Sequence, residues 1–265
     1  MTADPFAAMK AAQRESWGLF SLLAVFTTPA AAHLVRYAGV QPGQHVLDLA
    51  CGTGVVALTA HAVGARVRGL DLSPALLEEA SRNAAIADAG IEFTEGDAEN
   101  LPYPDASFDV VLSQFGHMFA PRPQMVVAEM LRVLKPGGRI AFSTWSPELV
   151  IGRLFDLVAT HVPAPPGAAA PTAWGRPEVV RERLGEAVRE LEFSSGDMVN
   201  PALSPRHFRA KMELTAAPFI KAVQVLSDQP ERLARFRSEI ETIVTGYFAD
   251  NCVRQTFLMT RALKR

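Results

Sequence analysis

In the stretch HVLDLACGTGVVA, from His45 to Ala57, an apolar run carrying Asp48 leads into Gly52 and Gly54 and then into residues suited to a helix. A strand, a tight turn and a helix start follow from that order. Glycines at such a turn accept backbone angles that side chains resist, and they let a ligand approach the main chain closely. A nucleoside cofactor is the first expectation. Gly52, Gly54 and Ala57 also fit the relaxed dinucleotide fingerprint, so the turn alone serves a hydride carrier or a methyl donor. Two further carboxylates, Asp71 and Asp97, stand at or just past the ends of the next two apolar segments. That edge of an open parallel sheet is where ligands bind. Asp71 is placed to accept from both hydroxyls of a ribose, its competing role being to help cap the next helix. Asp97, between Gly96 and Ala98, is placed to receive an exocyclic adenine amine or to satisfy its own turn. His117, in the run FGHMF, is the best placed titratable side chain beyond the fourth apolar segment. With a reference pKa of about 6.5, a histidine there can take a proton from a hydroxyl, thiol or activated carbon. A histidine that only packs locally is the alternative.

The elements that must position these residues alternate between short apolar segments and helical ones, the pattern of a parallel sheet with crossover helices. Val46 to Ala50, Arg66 to Leu70, Ile91 to Thr94, Phe108 to Ser113 and Arg139 to Thr144 are the expected strands. Val55 to Val63, Pro74 to Ala87 and Gln124 to Leu134 have helical character, with Ser73 as N-cap before Pro74. Lys135 to Gly138, reading KPGG, breaks a helix and turns the chain into the next strand. LPYPDASFD is a turn-rich approach to the fourth strand, so Tyr103 and Asp105 serve as connection. Beyond Trp145, Pro163 to Pro171 forms a surface loop or lid, and Leu191 to Val199 and Cys252 to Thr260 are late strands. A mostly helical insertion from about Pro205 to Tyr247 separates them.

The composition narrows the function classes. A chain of 265 residues with 49% hydrophobic content can bury a sizeable core and sits within one large domain. Its net charge of -2 gives no global attraction for nucleic acid. Cys51 and Cys252 stand too far apart in sequence for a disulfide framework, and the six histidines show no metal-ligand spacing, so no bound metal is expected. The N-terminus lacks the basic start and apolar block of a signal peptide, which makes the cytoplasm the expected location. Phe20 to Phe26 is apolar but far shorter than the roughly 20 residues that span a bilayer, so membrane insertion is not expected.

Four motifs in one order, HVLDLACGTG, RGLDLSP, EGDAENLPYPDASFDVVLS and EMLRVLKPGGRIAFSTW, resemble the class I S-adenosylmethionine-dependent methyltransferases. The resemblance is strongest to the ubiquinone and menaquinone C-methyltransferase-like group and covers roughly residues 40 to 146. It implies an α/β, Rossmann-like fold with a seven-stranded, mostly parallel sheet in the order 3-2-1-4-5-7-6, the last-formed strand antiparallel. Cys252 to Thr260 is the candidate for that strand. Residues 1–40 would form a helical cap, 41–146 the cofactor core, and 147–265 the lid, insertion and final strands.

The same resemblance implies roles for individual residues. Asp48 and the backbone of Ala50, Gly52 and Gly54 would face the methionine part and ribose. Asp71 would hold the ribose diol, Leu72 would pack on adenine, and Asp97 and Ala98 would meet its edge. Ser113, Gln114 and Phe115 would lie beside the donor. The product would be S-adenosylhomocysteine, and the partner a small-molecule acceptor.

The protein's part in methyl transfer is to align the partners, exclude water and remove a proton where one must go. Aromatic faces at Trp17, Phe20, Phe115 and Trp145 are candidates for stabilising a cationic donor, with core packing favoured for Phe20. Trp17, Phe26, Trp145, Phe155, Trp174, Phe208 and Phe219 offer an apolar enclosure for an apolar or aromatic acceptor, or else bury the lid. Of these, Trp145, Trp174 and Phe208 join His117 and Phe119 as expected acceptor contacts. Arg206, His207 and Arg209 form either an anion contact or a solvated helix face. The competing functions are an NAD-dependent oxidoreductase and a methyltransferase-like binding protein without turnover; a homo-oligomer stays open.

Overall fold

The computed structural model describes residues 4–265. The first strand, β1 (His45–Leu49), is buried along all but its first residue, as befits a parallel strand covered on both faces. It pairs in parallel with β2 (Arg66–Asp71) and β4 (Phe108–Gln114). β3 (Glu92–Glu95) extends one side, and β5 (Leu134–Thr144) the other. Between them run the crossover helices α3 (Val55–Ala62), α4 (Pro74–Ile86) and α5 (Pro123–Val133). Apart from the start of β5, these strands and helices stand within a residue or two of where the apolar periodicity places them.

The second half of the sheet is antiparallel. β8 (Cys252–Lys264) inserts between β5 and β6 (Val188–Pro201), and the two-residue β7 (Phe248–Ala249) pairs only with β8. The resulting order is β3-β2-β1-β4-β5-β8-β6, which is the expected 3-2-1-4-5-7-6 once the short β7 is set aside. Both late strands run past the expected bounds. A bulge between Arg189 and Glu192, with Glu190 in the left-handed region at φ 51°, interrupts the alternation that would have revealed the start of β6.

Two local expectations need correction. KPGG does not separate helix from strand: β5 begins at Leu134, which pairs with Phe108, and the register then jumps to Val110↔Arg139. The four residues form a looped-out irregularity inside the strand, held by Lys135 on Asp109 at 2.7 Å. Ser73 occupies the N-cap position of α4 without capping it by its side chain, since its hydroxyl is buried and unpartnered.

At the N-terminus, α1 (Ala7–Ser16) passes through a 3-10 turn (Trp17–Phe20) into α2 (Ser21–Ala38). This continuous run, Ala7–Ala38, is long and apolar enough to cross a bilayer, longer than the Phe20 to Phe26 block suggested. The inward face of α2 nevertheless belongs to the core. Ala31, Leu34, Val35 and Ala38 pack with Val46, Val56, Val110 and Leu112. Beyond β5, α6 (Val150–His161) and α7 (Pro177–Leu184) flank the sheet, and α8 (Pro205–Thr215), α9 (Ala217–Val225) and α10 (Pro230–Thr245) form the insertion before β7. Residues 163–170 carry no helix or strand, as their composition indicates.

The packing of α2 predicts a position-dependent cost. Leu34 is fully buried and Leu22 is 59% exposed on the same helix. In urea unfolding, Leu34→Ala should lower stability by about 2–5 kcal/mol and Leu22→Ala by less than about 0.5 kcal/mol. Equal losses would contradict the docking of α2 on the sheet.

Candidate functional site

The cleft opens where β1 and β4 end. Ala50 (φ 54°) and Phe115 (φ 61°), each just past its strand, adopt left-handed backbone, a conformation costly for residues with a Cβ and concentrated at functional sites. Between these turns the backbones approach so closely that a Cβ on Gly116 would lie 2.5 Å from the Ala50 Cβ. The loop after β1 continues through Gly52 and Gly54, both at positive φ, and Gly54 stands at the N-terminus of α3.

Two carboxylates lie beneath this loop. Asp71 Oδ2 accepts from the Gly52 N–H at 2.8 Å and Oδ1 from the Ser73 N–H at 2.9 Å. Burial pushes its pKa up, and those backbone hydrogen bonds oppose the rise. Asp48 Oδ2 accepts from the Ala57 N–H at 2.8 Å, while Oδ1 is buried without a partner. Burial drives the Asp48 pKa well above the carboxylate range, opposed by that hydrogen bond and reinforced by the nearby charge of Asp71. Ser113 does not face the opening; its hydroxyl donates to the Leu49 carbonyl at 2.7 Å and braces the end of β1.

A cavity of about 200 Å³ joins the cleft to the antiparallel half of the sheet. Of the residues expected to contact a cofactor, it is lined by Trp17, Ala50, Gly52, Asp71, Leu72, Asp97, Ala98, Gln114 and Phe115. A smaller recess, touched by Asp48, Gly52, Thr53, Gln114 and Phe115, opens beside it. Gln114 is held by α2, its amide donating to the Thr27 carbonyl at 3.0 Å, and its Oε1 is buried and unpartnered. Asp48 Oδ1 and Gln114 Oε1 are thus two orphaned acceptors at one recess. They suit a ligand with an ammonium group, whose charge would favour the ionised Asp48 carboxylate against the effect of burial, and Asp71 at the larger opening suits a diol.

The far half of the cavity is walled mainly by aromatic side chains. Phe119, Trp145 and Phe155 line it, as do Phe20 and Phe26 from the N-terminal cap. Phe115 stacks on Trp145 with centroids 4.0 Å apart and planes 10° from parallel. Trp174, Phe208 and Phe219, however, are absent from the lining and almost fully buried. Trp174 and Phe208 therefore serve packing rather than acceptor contact. Arg209 is taken up by Glu213 and Glu241, and His207 by Ser204, so neither reaches toward a ligand. Tyr103 is buried core, and Asp105 pairs with Arg132.

Lys10 is the residue that the sequence pattern missed. From α1 its ammonium reaches Asp97 at 2.6 Å and Asp4 at 2.8 Å, and it also pairs with the buried Glu99. Burial lowers its pKa, and the three carboxylates more than reverse that shift. Arg122 closes the cluster on Asp4 and Glu99. Asp97 is thus already engaged by a cation, and its other oxygen accepts from the Glu99 N–H. Asp4, Asp97 and Glu99 are close enough to gather around a metal ion, but the Lys10 ammonium bonds to all three.

The comparisons with known proteins come down on one side. Residues 47–142 match the methyltransferase domain family. An uncharacterized protein of Mycobacterium tuberculosis is 32% identical over 256 residues, 95% of this chain and 93% of its own. The chain belongs to the class I S-adenosylmethionine-dependent methyltransferases. The demethylmenaquinone methyltransferase of Clavibacter sepedonicus is 42% identical over 117 residues, 43% of this chain and 47% of that protein. The YcgJ protein of Bacillus subtilis shares the fold, with a TM-score of 0.59 at 18% identity, covering 89% of this chain and 98% of that one. In this methyltransferase the orphaned acceptors and Asp71 accordingly fit the donor that the family implies.

The expectation for His117 needs correction on physical grounds. Its ring lies between Phe142 and Trp174, with centroids 4.7 and 4.8 Å away, and neither nitrogen has a hydrogen-bond partner. Burial, aided by the charge of Arg183, lowers its pKa to about 3. The methyltransferase thus carries a neutral, packed ring here, too weakly basic to serve as a general base near neutral pH.

The folded pKa of His117 lies below the unfolded value, so its contribution to stability is present above about pH 6.5 and lost as pH falls toward the folded value. Between pH 7.5 and 5.0 the group should cost the wild type on the order of 2 kcal/mol. Urea unfolding of His117→Leu should show a correspondingly smaller acid loss. Equal losses in both proteins would contradict the buried neutral ring.

Proposed function

We propose that this protein transfers a methyl group from S-adenosylmethionine to a small, uncharged, apolar or aromatic molecule. The observation that carries the proposal is the continuity of one cavity from Asp71 and Asp97 to an aromatic wall at Phe119, Trp145 and Phe155. Asp71 would hold the ribose hydroxyls, Leu72 would lie on the adenine, and Asp48 and Gln114 would take the ammonium of the methionine part. When bound, the donor supplies an electrophilic methyl carbon on a sulfonium. The chain's own work is alignment and enclosure. Trp17, Phe20 and Phe26 exclude water from above, and the stacked Phe115 and Trp145 present aromatic surface suited to positive charge.

Proton removal is assigned to no side chain of the apolar half. Apart from the packed His117, the titratable groups lining the cavity are Lys10, Asp71 and Asp97, and all are engaged at the donor end. An acceptor whose attacking atom is already electron-rich, such as the ring carbon of a quinol, meets that condition, the displaced ring proton passing to water after the methyl has bound. The likeness to the demethylmenaquinone methyltransferase supports an acceptor of this kind.

Methyl-labelled S-adenosylmethionine offered with a panel of quinols, phenols, amines and thiols tests the proposal. Label should pass to an uncharged aromatic member. Asp71→Ala should lower kcat/KM about 10–100-fold at low donor concentration, the cost of losing hydrogen bonds to a charged group. Transfer to no member, or an undiminished rate in Asp71→Ala, would contradict it.

A further inference from the structure

The wall of the cavity farthest from the donor is built by β6, β8, α8 and α9. Met198, Asn200, Met212, Ala216, Pro218 and Gln255 line it, and none carries a charge. On β6 and β8 the register sets Met198 opposite Gln255 and Asn200 opposite Val253. Asn200 and Gln255 are therefore diagonal neighbours on one face, within side-chain reach of each other. Around them on the stretch of that face from Gly196 to Asn200 and Val253 to Phe257, the other residues, Gly196, Met198, Val253 and Phe257, are apolar or glycine and buried. Two carboxamides, 4% and 3% exposed, interrupt it.

The Asn200 Oδ1 is sealed from solvent and has no hydrogen-bond partner among the described residues. A buried polar group left unmade is expensive, and folds keep one where a ligand or water completes it. A core position on paired strands would otherwise take Leu or Val at no cost in packing. Lys211 on α8 is committed elsewhere, its ammonium 3.6 Å from the Phe26 ring centroid.

We propose that Asn200 and Gln255 form a neutral hydrogen-bonding subsite that anchors the methyl acceptor by a hydroxyl or N–H at its end remote from the donor. The inference rests on the cavity being the acceptor chamber of the proposed methyltransferase. The subsite selects uncharged, hydroxyl-bearing apolar molecules and rejects carboxylates and phosphates, for which no cation is offered. It discriminates against a hydrocarbon of the same shape, because that molecule leaves the buried amides unpaired.

Calorimetric binding of 1-naphthol, naphthalene and 1-naphthoate to the whole protein tests the subsite without requiring turnover. Wild type should bind 1-naphthol roughly tenfold more tightly than naphthalene and bind 1-naphthoate more weakly than 1-naphthol. Asn200→Leu and Gln255→Met should each reduce the advantage of 1-naphthol to about threefold or less by weakening 1-naphthol alone. Binding of S-adenosylhomocysteine, which uses other residues, reports that each variant is folded. Should Asn200→Leu not fold, Gln255→Met carries the same comparison. No binding of 1-naphthol, equal affinity for naphthalene, or an advantage undiminished in folded variants would overturn the subsite. Intact discrimination by a protein that binds no S-adenosylhomocysteine would instead contradict the proposed function and leave the subsite standing.

Discussion

The Asp71 carboxylate ties the loop after β1 to the start of α4 by accepting the N–H groups of Gly52 and Ser73. A carboxylate as buried as this one is costly unless its oxygens are met by donors, and here the donors are backbone atoms whose positions define the cleft. Asp48 repeats the device one strand over, through the Ala57 N–H in the first turn of α3. The partial positive charge of both helix starts favours the arrangement. The loop's left-handed residues, its close approach to Gly116 and the orphaned acceptors facing the recess all depend on these two anchors.

Chemistry is divided across the sheet by its change of direction. The parallel strands β1, β2 and β4 end together and place carboxylates and open loops at one edge, whereas β6 and β8 run antiparallel and contribute a buried face from Gly196 to Asn200 and Val253 to Phe257. The N-terminal cap bridges the two. Lys10 pins α1 to Asp97 and Glu99, and the Gln13 amide donates to the Phe119 carbonyl at 3.1 Å. A segment held by partly buried ion pairs encloses the cavity while leaving its inner wall apolar.

The parallel core is legible because β1, β4 and the second half of β5 are mostly apolar and the turns carry glycine, so type and order follow from short-range pattern. Asp48, Gly52 and Asp71 announced themselves by standing at strand ends. Three things were not legible. Lys10 meets Asp97 across 87 residues of sequence, a distance over which no local pattern speaks. Asn200 and Gln255 are single polar residues within long strands, and only the pairing of β6 with β8 brings them to one face. His117 stands at the cavity, as its place after β4 implies, but no sequence pattern gives the direction of its side chain. The 3-10 turn from His117 to Phe119 leaves the ring packed between Phe142 and Trp174.

Competitive calorimetry of the wild-type protein with S-adenosylhomocysteine and NADH distinguishes a glycine loop and Asp71 that seat a sulfonium nucleoside from a pair that seats a dinucleotide. Saturable binding of S-adenosylhomocysteine at a single site, with no displacement by NADH, is the expected result. Tight binding of NADH, with S-adenosylhomocysteine failing to compete, would contradict it.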